Sequence, residues 1–533
     1  MFLKILILIL FFAVMIGVGI YCRKTANNVQ GFVLGDRKVG SWLTAFAFGT
    51  SYFSAVIFVG YAGQFGWKYG LASTWIGLGN ALIGSLLAWR ILGRRTRLMT
   101  QYLHSATMPD FFGQRFNSEA LKIAASVIVF VFLIPYTASL YNGLSRLFGL
   151  SFGIDYSWCV IGMAVLTGIY VLVGGYMATA VNDFIQGMIM LIGIVAVIIS
   201  VLNGNGGFTA AIEKLSQIPS EAAPNLNGAF TSFFGPQPIW LLGVVLLTSL
   251  GTWGLPQMVG KFYAIRDEAA IRKGTFISTF FAIIVAGGCY FLGGFGRLYG
   301  NVIDFAPNGT PIYDSIVPSM LQTLPDLMIG IVIILVLSAS MSTLSSLVLT
   351  SGSTLTLDII KPALAKGGKQ MGEKSQLLSI RLLVVFFIAV SSVLAIIQAK
   401  SSVTFIAQLM GISWGALAGA FLAPFLYGLY WKKTTKASVW ASYIVGVAIM
   451  CGCMYGTFTK TTFISPFFSS PINAGVLSMV AGLVIVPIVS MFSGVKNKDD
   501  VEKMFGCYER KVTVHASTSL MDADEKTNNN KTN

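Results

Sequence analysis

Apolar residues run in long blocks along this chain, and polar residues collect in the gaps between them. Thirteen blocks stand out: residues 2–22, 41–64, 71–92, 120–147, 155–176, 183–203, 236–260, 273–297, 325–357, 377–399, 403–430, 437–457 and 471–494. A membrane helix needs about 20 apolar residues to cross a hydrocarbon core about 30 Å thick. The pattern therefore predicts an all-α polytopic membrane protein with about 13 transmembrane helices. The first block is long enough to span and has no small-residue cleavage site after it, so it reads as a helix and not a signal peptide. Residues 496–533 are polar and end in a run of Lys, Thr and Asn, which predicts a disordered tail.

The ninth block breaks the apolar pattern. After Met328–Val336 it carries Ser338, Ser340, Ser342, Thr343, Ser345 and Ser346. A few hydroxyls in hydrocarbon can bond back to their own helix. Six within nine residues is denser than that explains. At helical spacing Ser342, Ser345 and Ser346 share a face, as do Ala339 and Thr343. Small oxygen-bearing side chains on one face suit close helix packing or a hard cation such as sodium.

Composition fits the membrane reading: 55% of the 533 residues are hydrophobic and only 11% are charged. The net charge of +15 does not point to nucleic acid, because the basic residues sit in short gaps between apolar blocks. With the N-terminus outside, all but seven of the 36 lysines and arginines fall on the inner side; the seven are Lys4, Lys68, Arg146, Lys214, Arg297, Lys400 and Lys460. That bias predicts N-outside, C-inside and an odd number of crossings. Lys261 counts here as an inner-loop residue. The six cysteines form no paired framework, and two histidines are too few for a histidine metal site. The outer segments 203–236 and 298–325 read equally as lids or ordinary loops, and Asn308-Gly309-Thr310 is a glycosylation sequon.

Two blocks are predicted to be interrupted. The second contains Gly49-Thr50-Ser51-Tyr52-Phe53-Ser54, and the seventh contains Gly251-Thr252-Trp253-Gly254-Leu255-Pro256-Gln257. Gly and Pro loosen the helical ladder, and loosened backbone at membrane depth is tolerated where it lines a cavity or holds a ligand. The two blocks are five crossings apart, so they traverse in opposite senses. Matching interruptions in inverted halves are a pointer to a secondary-transporter site. Repeat one would cover 41–203 and repeat two 236–430, with 2–40 as a first helix and loop and 437–494 as two final helices.

Acids are scarce in the blocks. Asp183 follows Gly174-Gly175 where the sixth block begins. It reads either as a helix N-cap or as a cation ligand or coupling residue. Asp358, at the end of the serine-rich block, reads as interfacial.

Three stretches carry a resemblance. They are Gly35-Asp36-Arg37 with Gly40-Ser41-Trp42, Gly174-Gly175 through Asp183 and Gln186, and Ala339 through Ser346. With them, most of residues 1–495 resembles the sodium:solute symporter family. The resemblance implies a leucine-transporter-like 5+5 inverted repeat. It also implies a principal sodium site formed by the carbonyls of Thr50, Phe53 and Ala339 and the hydroxyls of Ser342 and Thr343. Asp183, Ser342, Ser345 and Ser346 match the pattern of a second sodium in some members.

The solute pocket implied by the resemblance is Ser51, Phe53, Ser54, Tyr136, Trp253, Gln257 and Gln408. Proline-carrying members have Trp and Tyr where this chain has Thr248 and Thr252, and Asp and Gly-Trp where it has Tyr52 and Ala55-Val56; Tyr136 and Pro256 do fit them. Sugar-carrying members have Tyr and Asn at Thr252 and Pro256, and Gln at Ala407. A small polar organic solute remains, an amino acid or organic acid before a sugar. No buried Arg or Lys is expected beside a solute carboxylate, so a broken-helix N-terminus would take that part.

The expected function is sodium-coupled import of such a solute through the cytoplasmic membrane by alternating access. Sodium, solute and lipid would be its partners, with neither nucleic acid nor a protein partner required. The rivals are a proton-coupled or exchange carrier of the same fold, with Asp183 as proton carrier, and a membrane sensor, for which the tail is short. No charged ring or filter repeat suggests a channel, and no nucleophile–base pair, metal cluster or phosphate loop suggests an enzyme.

Overall fold

A computed structural model describes residues 2–152, 155–305, 309, 311–322, 324–399, 406–495 and 497–509. The described residues are helical, with only isolated bridges and no strand among them. Elements used below are α1 (Phe2–Cys22), α2 (Ser41–Tyr52), α3 (Glu119–Phe152), α4 (Tyr156–Gly204), α5 (Pro238–Leu250) and α6 (Pro256–Ala264). They continue with α7 (Glu268–Ala282), α8 (Asp326–Leu355), α9 (Glu373–Ala399), α10 (Ile406–Tyr430), α11 (Lys436–Thr459), α12 (Pro471–Ser493) and α13 (Lys498–Phe505). Ten helices among the described residues are long and apolar enough to cross a membrane, and eleven if the bent pair α5–α6 counts as one. The chain is a multi-pass membrane protein.

Several of these helices are bent or broken. The 49 residues of α4 would extend about 74 Å if straight, more than twice a hydrocarbon core. The helix parts at Gly175, whose φ of 55° is a backbone region that side chains resist. A Cβ there would also stand 2.8 Å from the Phe32 ring. This break, and not a new helix start, lies ahead of Asp183. The N-cap reading of Asp183 therefore fails: the residue sits two turns inside the helix, fully buried.

α8 is the buried centre of the bundle, packed by α4, α3, α9 and α2. Its run from Val332 to Leu349 has buried residues at almost every position. That is why its apolar pattern goes all round and not along one stripe. Asp358, just past its end, is buried within the protein and paired. Thr107 donates to its Oδ2 at 2.6 Å and Lys122 Nζ lies 3.4 Å from its Oδ1.

The Gly35-Asp36-Arg37 segment acts as a latch. Arg37 donates to the carbonyls of Ser105 at 2.6 Å and Tyr263 at 3.1 Å, tying the approach to α2 to the end of α6. Burial pulls the Arg37 guanidinium down to about 10, which leaves it charged at neutral pH. The beginning of the polar tail is ordered, contrary to expectation. Arg115 stacks 5.1 Å from the Phe505 ring of α13, Arg95 stacks 4.6 Å from the Tyr508 ring, and Tyr508 donates to Leu429 O at 3.0 Å. A short amphipathic helix and the turn after it, with two aromatic anchors, are enough to dock it. Residues 510–533, and Asn308 and Thr310 of the sequon, lie outside the described residues.

Candidate functional site

The two predicted interruptions are both present, and both have the same form. α2 ends at Phe53, which is extended at φ −81°, ψ 114°. α5 runs through a 3-10 turn, Gly251–Gly254, to Leu255, extended at φ −88°, ψ 120°, and the chain bends by 46° into α6. In each, a Gly-Thr pair is followed by two residues and then the extended one. An extended residue interrupts the i→i−4 ladder and turns nearby carbonyls towards other partners.

Across the first break lies the serine-rich part of α8. Thr343 Oγ1 is 3.1 Å from Thr50 O, 3.5 Å from Phe53 O and 3.1 Å from Ala339 O. Ser342 Oγ is 3.3 Å from Thr50 O and 3.2 Å from Ala339 O. Two hydroxyl protons thus face three carbonyls, and each proton can serve one acceptor at a time. The cluster has more lone pairs than donors. For a hard cation taking oxygens at about 2.4 Å, neighbouring oxygens of an octahedral shell stand about 3.4 Å apart. The observed spacings match that size. All five oxygens are formally neutral, which suits a single positive charge better than two.

Of the other hydroxyls singled out in the sequence, Ser338 has no hydrogen-bond partner among the described residues, and the remaining three divide into two groups. Ser340 donates to Val336 O at 2.8 Å and Ser345 to Ser342 O at 2.9 Å, so these two bond back into their own helix. Ser346 faces outward: its Oγ is 2.9 Å from Ser51 Oγ and accepts from Lys261 Nζ at 2.9 Å. Lys261 also lies 3.7 Å from Asp183 Oδ2 and 5.3 Å from the Tyr176 ring centre. Lys261 is therefore no loop residue, and the expectation of no buried Arg or Lys is wrong. It is 3% exposed on α6, between Asp183 of α4 and Ser346 of α8. Neither Asp183 oxygen has a hydrogen-bond partner among the described residues, so Lys261 is the cation that offsets its charge. The four residues matched to a second sodium are not drawn round one point. Ser342 turns to Thr50, Ser345 to its own helix, and Ser346 and Asp183 to Lys261.

The expected pocket residues fall into four places. Ser51, Phe53 and Ser54 lie at the first break. Tyr136, on α3, packs edge-on to Trp414 at 5.9 Å, and Tyr52 meets the same indole at 5.7 Å, which brings Tyr136 to the break through a residue the sequence reading missed. Trp253 turns the other way, donating from Nε1 to Ile83 O at 3.0 Å. Gln257 lines a cavity of about 50 Å³ with Tyr176, Lys261, Ser346, Thr350 and Ser353. Gln408 is apart from these, in a cavity of about 250 Å³ with Gln64, Lys68, Trp240 and Asn473.

A cavity of about 10 Å³ joins the two breaks, lined by Tyr52, Phe53, Asn80, Ser85 and Thr252 among others. Asn80 hydrogen-bonds the Tyr52 hydroxyl and accepts from Ser249 at 3.0 Å. The only sequence signal for Asn80 was an amide inside an apolar block. Trp414 gave none, since a tryptophan there also reads as packing.

Known proteins resemble this chain over most of its length. The model of the family described as "Sodium:solute symporter family" matches residues 32–446. The osmoregulated proline transporter OpuE of Bacillus subtilis is 28% identical over 479 residues, covering 89% of this chain and 93% of that protein. A sodium/proline symporter of Staphylococcus aureus is 30% identical over 447 residues, covering 83% of each. A solved structure of a Na+-coupled sialic acid symporter, substrate-bound and outward-open, superposes with a TM-score of 0.75 at 17% identity, covering 92% of this chain and 98% of that one. The fold is thus that of a known transporter, and the relatives are transporters and not enzymes. On the extent of the family match, this chain belongs to the sodium:solute symporter family.

Proposed function

We propose that this protein is a sodium-coupled symporter that brings a small polar organic solute into the cell across the cytoplasmic membrane. The observation that carries the proposal is the group of three carbonyls and two hydroxyls at the Phe53 break, spaced for a sodium-sized ion and short of donors. Sodium bound there ties α8 to the first break and pre-organises the adjoining Tyr52–Tyr136–Trp414 surface for solute. Linkage then requires solute to raise sodium affinity by the same factor. Rocking of one bundle against the other releases both on the inner side.

The architecture that supports this is a 5+5 inverted repeat. The matching Gly-Thr-x-x-extended geometry at Phe53 and Leu255 favours it. Dividing the Val56–Tyr102 stretch at Gly70, whose φ is 60°, and α4 at Gly175 raises the eleven spans to thirteen crossings. An odd number with the basic face inward supports an N-terminus outside and a C-terminus in the cytoplasm.

The solute is an amino acid or organic acid before a sugar: the relatives named above include proline symporters, and aromatic area with a few polar groups orients such molecules. The test is uptake into proteoliposomes under an imposed sodium gradient, with proline, other amino acids, organic acids and sugars offered in turn. Sodium-stimulated accumulation of one class is expected. Accumulation that follows a proton gradient with sodium absent would replace this reading with a proton-coupled carrier.

A further inference from the structure

Lys261 stands among groups that would otherwise draw a cation. Its ammonium is 2.9 Å from Ser346 Oγ, 3.7 Å from Asp183 Oδ2 and 5.3 Å from the face of Tyr176. Ser346 in turn meets Ser51, beside the first break. A carboxylate, a hydroxyl and an aromatic face are together a cation site, and here the cation is covalently part of the chain. A buried carboxylate left alone is strongly disfavoured, so Asp183 stays ionised only with a positive charge beside it. A mobile ion would supply that only when bound. Lys261 supplies it permanently, and its charge repels a second sodium from the same place.

We propose that the Lys261 ammonium is a tethered cation filling the Asp183–Ser346 site, so that the carrier binds one sodium, at the Phe53 break, and not two. This rests on the sodium reading above. It also explains why the oxygens matched to a second sodium face different ways: with the lysine in place there is no common ion for them to surround.

The experiment is calorimetric titration of the purified full chain with sodium chloride, without solute, against choline chloride as control. One sodium per protein is expected. In Lys261→Ala the uncompensated Asp183 should recruit an ion, giving two sodium ions per protein or a Hill coefficient that rises from about 1 to about 2. Lys261→Met, which keeps the stem volume, should behave in the same way. Lys261→Ala combined with Asp183→Asn should return the count to one. Two sodium ions in the unaltered protein would overturn the proposal whatever the variants do. So would a folded Lys261→Ala that binds one ion with unchanged affinity. No sodium bound by the unaltered protein is a different result, since it removes the symport reading itself.

Discussion

The two helix breaks share a backbone and differ in what they face. At Phe53 the freed carbonyls look across at Ser342 and Thr343 of α8. At Leu255 the corresponding threonine, Thr252, donates to Ser249 O at 2.8 Å, and Trp253 is tied to Ile83 O. One break is surrounded by excess acceptors, while the other has its donors already spent on neighbouring carbonyls. A Gly-Thr-x-x-extended turn is thus a device for exposing backbone, and under the sodium proposal it becomes an ion site only where a second helix brings oxygens without protons to spare. The largest expected effect tests this difference. Ser342→Ala with Thr343→Ala removes two of five oxygens and should raise the sodium concentration for half-maximal uptake by about 10- to 100-fold, the range seen when metal sites lose supporting groups. Thr252→Ala at the other break should move it by less than about 3-fold, a free-energy change below about 0.7 kcal/mol. Similar sodium curves for the two variants would show that the breaks are not functionally distinct.

Much of that contrast was legible in the sequence. Blocks of about 20 apolar residues mark crossings because backbone in lipid has few other choices. Gly49-Thr50 and the hydroxyls at Ser342 and Thr343 were visible for the same reason: each departs from an apolar pattern where departure is costly. Lys261 was not. It lies at the end of an apolar block, where a lysine ordinarily marks the inner interface, and its partner Asp183 is 78 positions away on another helix. The partners of Asp358 were hidden in the same manner, because Lys122 and Thr107, which satisfy it, belong to segments far upstream. Gln408 was grouped with Gln257 by family pattern, whereas the fold places them in separate cavities. Periodicity reports burial; it does not report which buried charge meets which.

The next prediction concerns how tightly the second break is packed. A Cβ at Gly254 would stand 2.8 Å from Ala418 Cα and 2.9 Å from Leu422 N, both backbone atoms of α10. Backbone inside a helix cannot step aside, so Gly254→Ala should cost about 1–3 kcal/mol in overpacking. The atoms nearest a Cβ at Gly49, at the first break, are those of the Phe281 ring, the first at 2.5 Å. A side chain yields more readily than helix backbone, so Gly49→Ala should lower the melting midpoint in detergent by less. The reverse order would mean that the first break, and not the second, is the more rigid.

A smaller effect belongs to the turn that follows the second break. Asp267 accepts from Ala270 N at 2.7 Å and caps α7. That backbone bond, then the Arg266 side chain, holds its carboxyl below the usual range. A depressed carboxyl stabilises the fold above its unfolded value and loses that contribution as pH falls through the folded one. Asp267→Ala should therefore cost about 1 kcal/mol at neutral pH, an ordinary N-cap loss. The variant's melting midpoint should converge on that of the unaltered protein in acid. A deficit that persists unchanged at low pH would mean that shape, and not the capping charge, holds the turn.

The smallest expected effect is the sharpest test of what the shared glycine does. Gly251 occupies in the second break the place of Gly49 in the first. Its backbone is helical at φ −55°, ψ −32°, so no positive φ demands a glycine. A Cβ would meet Ala418 Cβ and Met479 Sδ at 3.7 Å, which is ordinary contact. Adding the methyl also removes backbone freedom from the unfolded chain, a gain of about 0.4–1 kcal/mol where the native conformation accepts it. Gly251→Ala should thus leave stability unchanged or slightly raised, and sodium-driven uptake should stay within about 2-fold, or 0.4 kcal/mol. If uptake instead collapses while the protein remains folded, the glycine serves movement and not packing. The second break would then act as a hinge during transport, opposite a first break fixed by its ion.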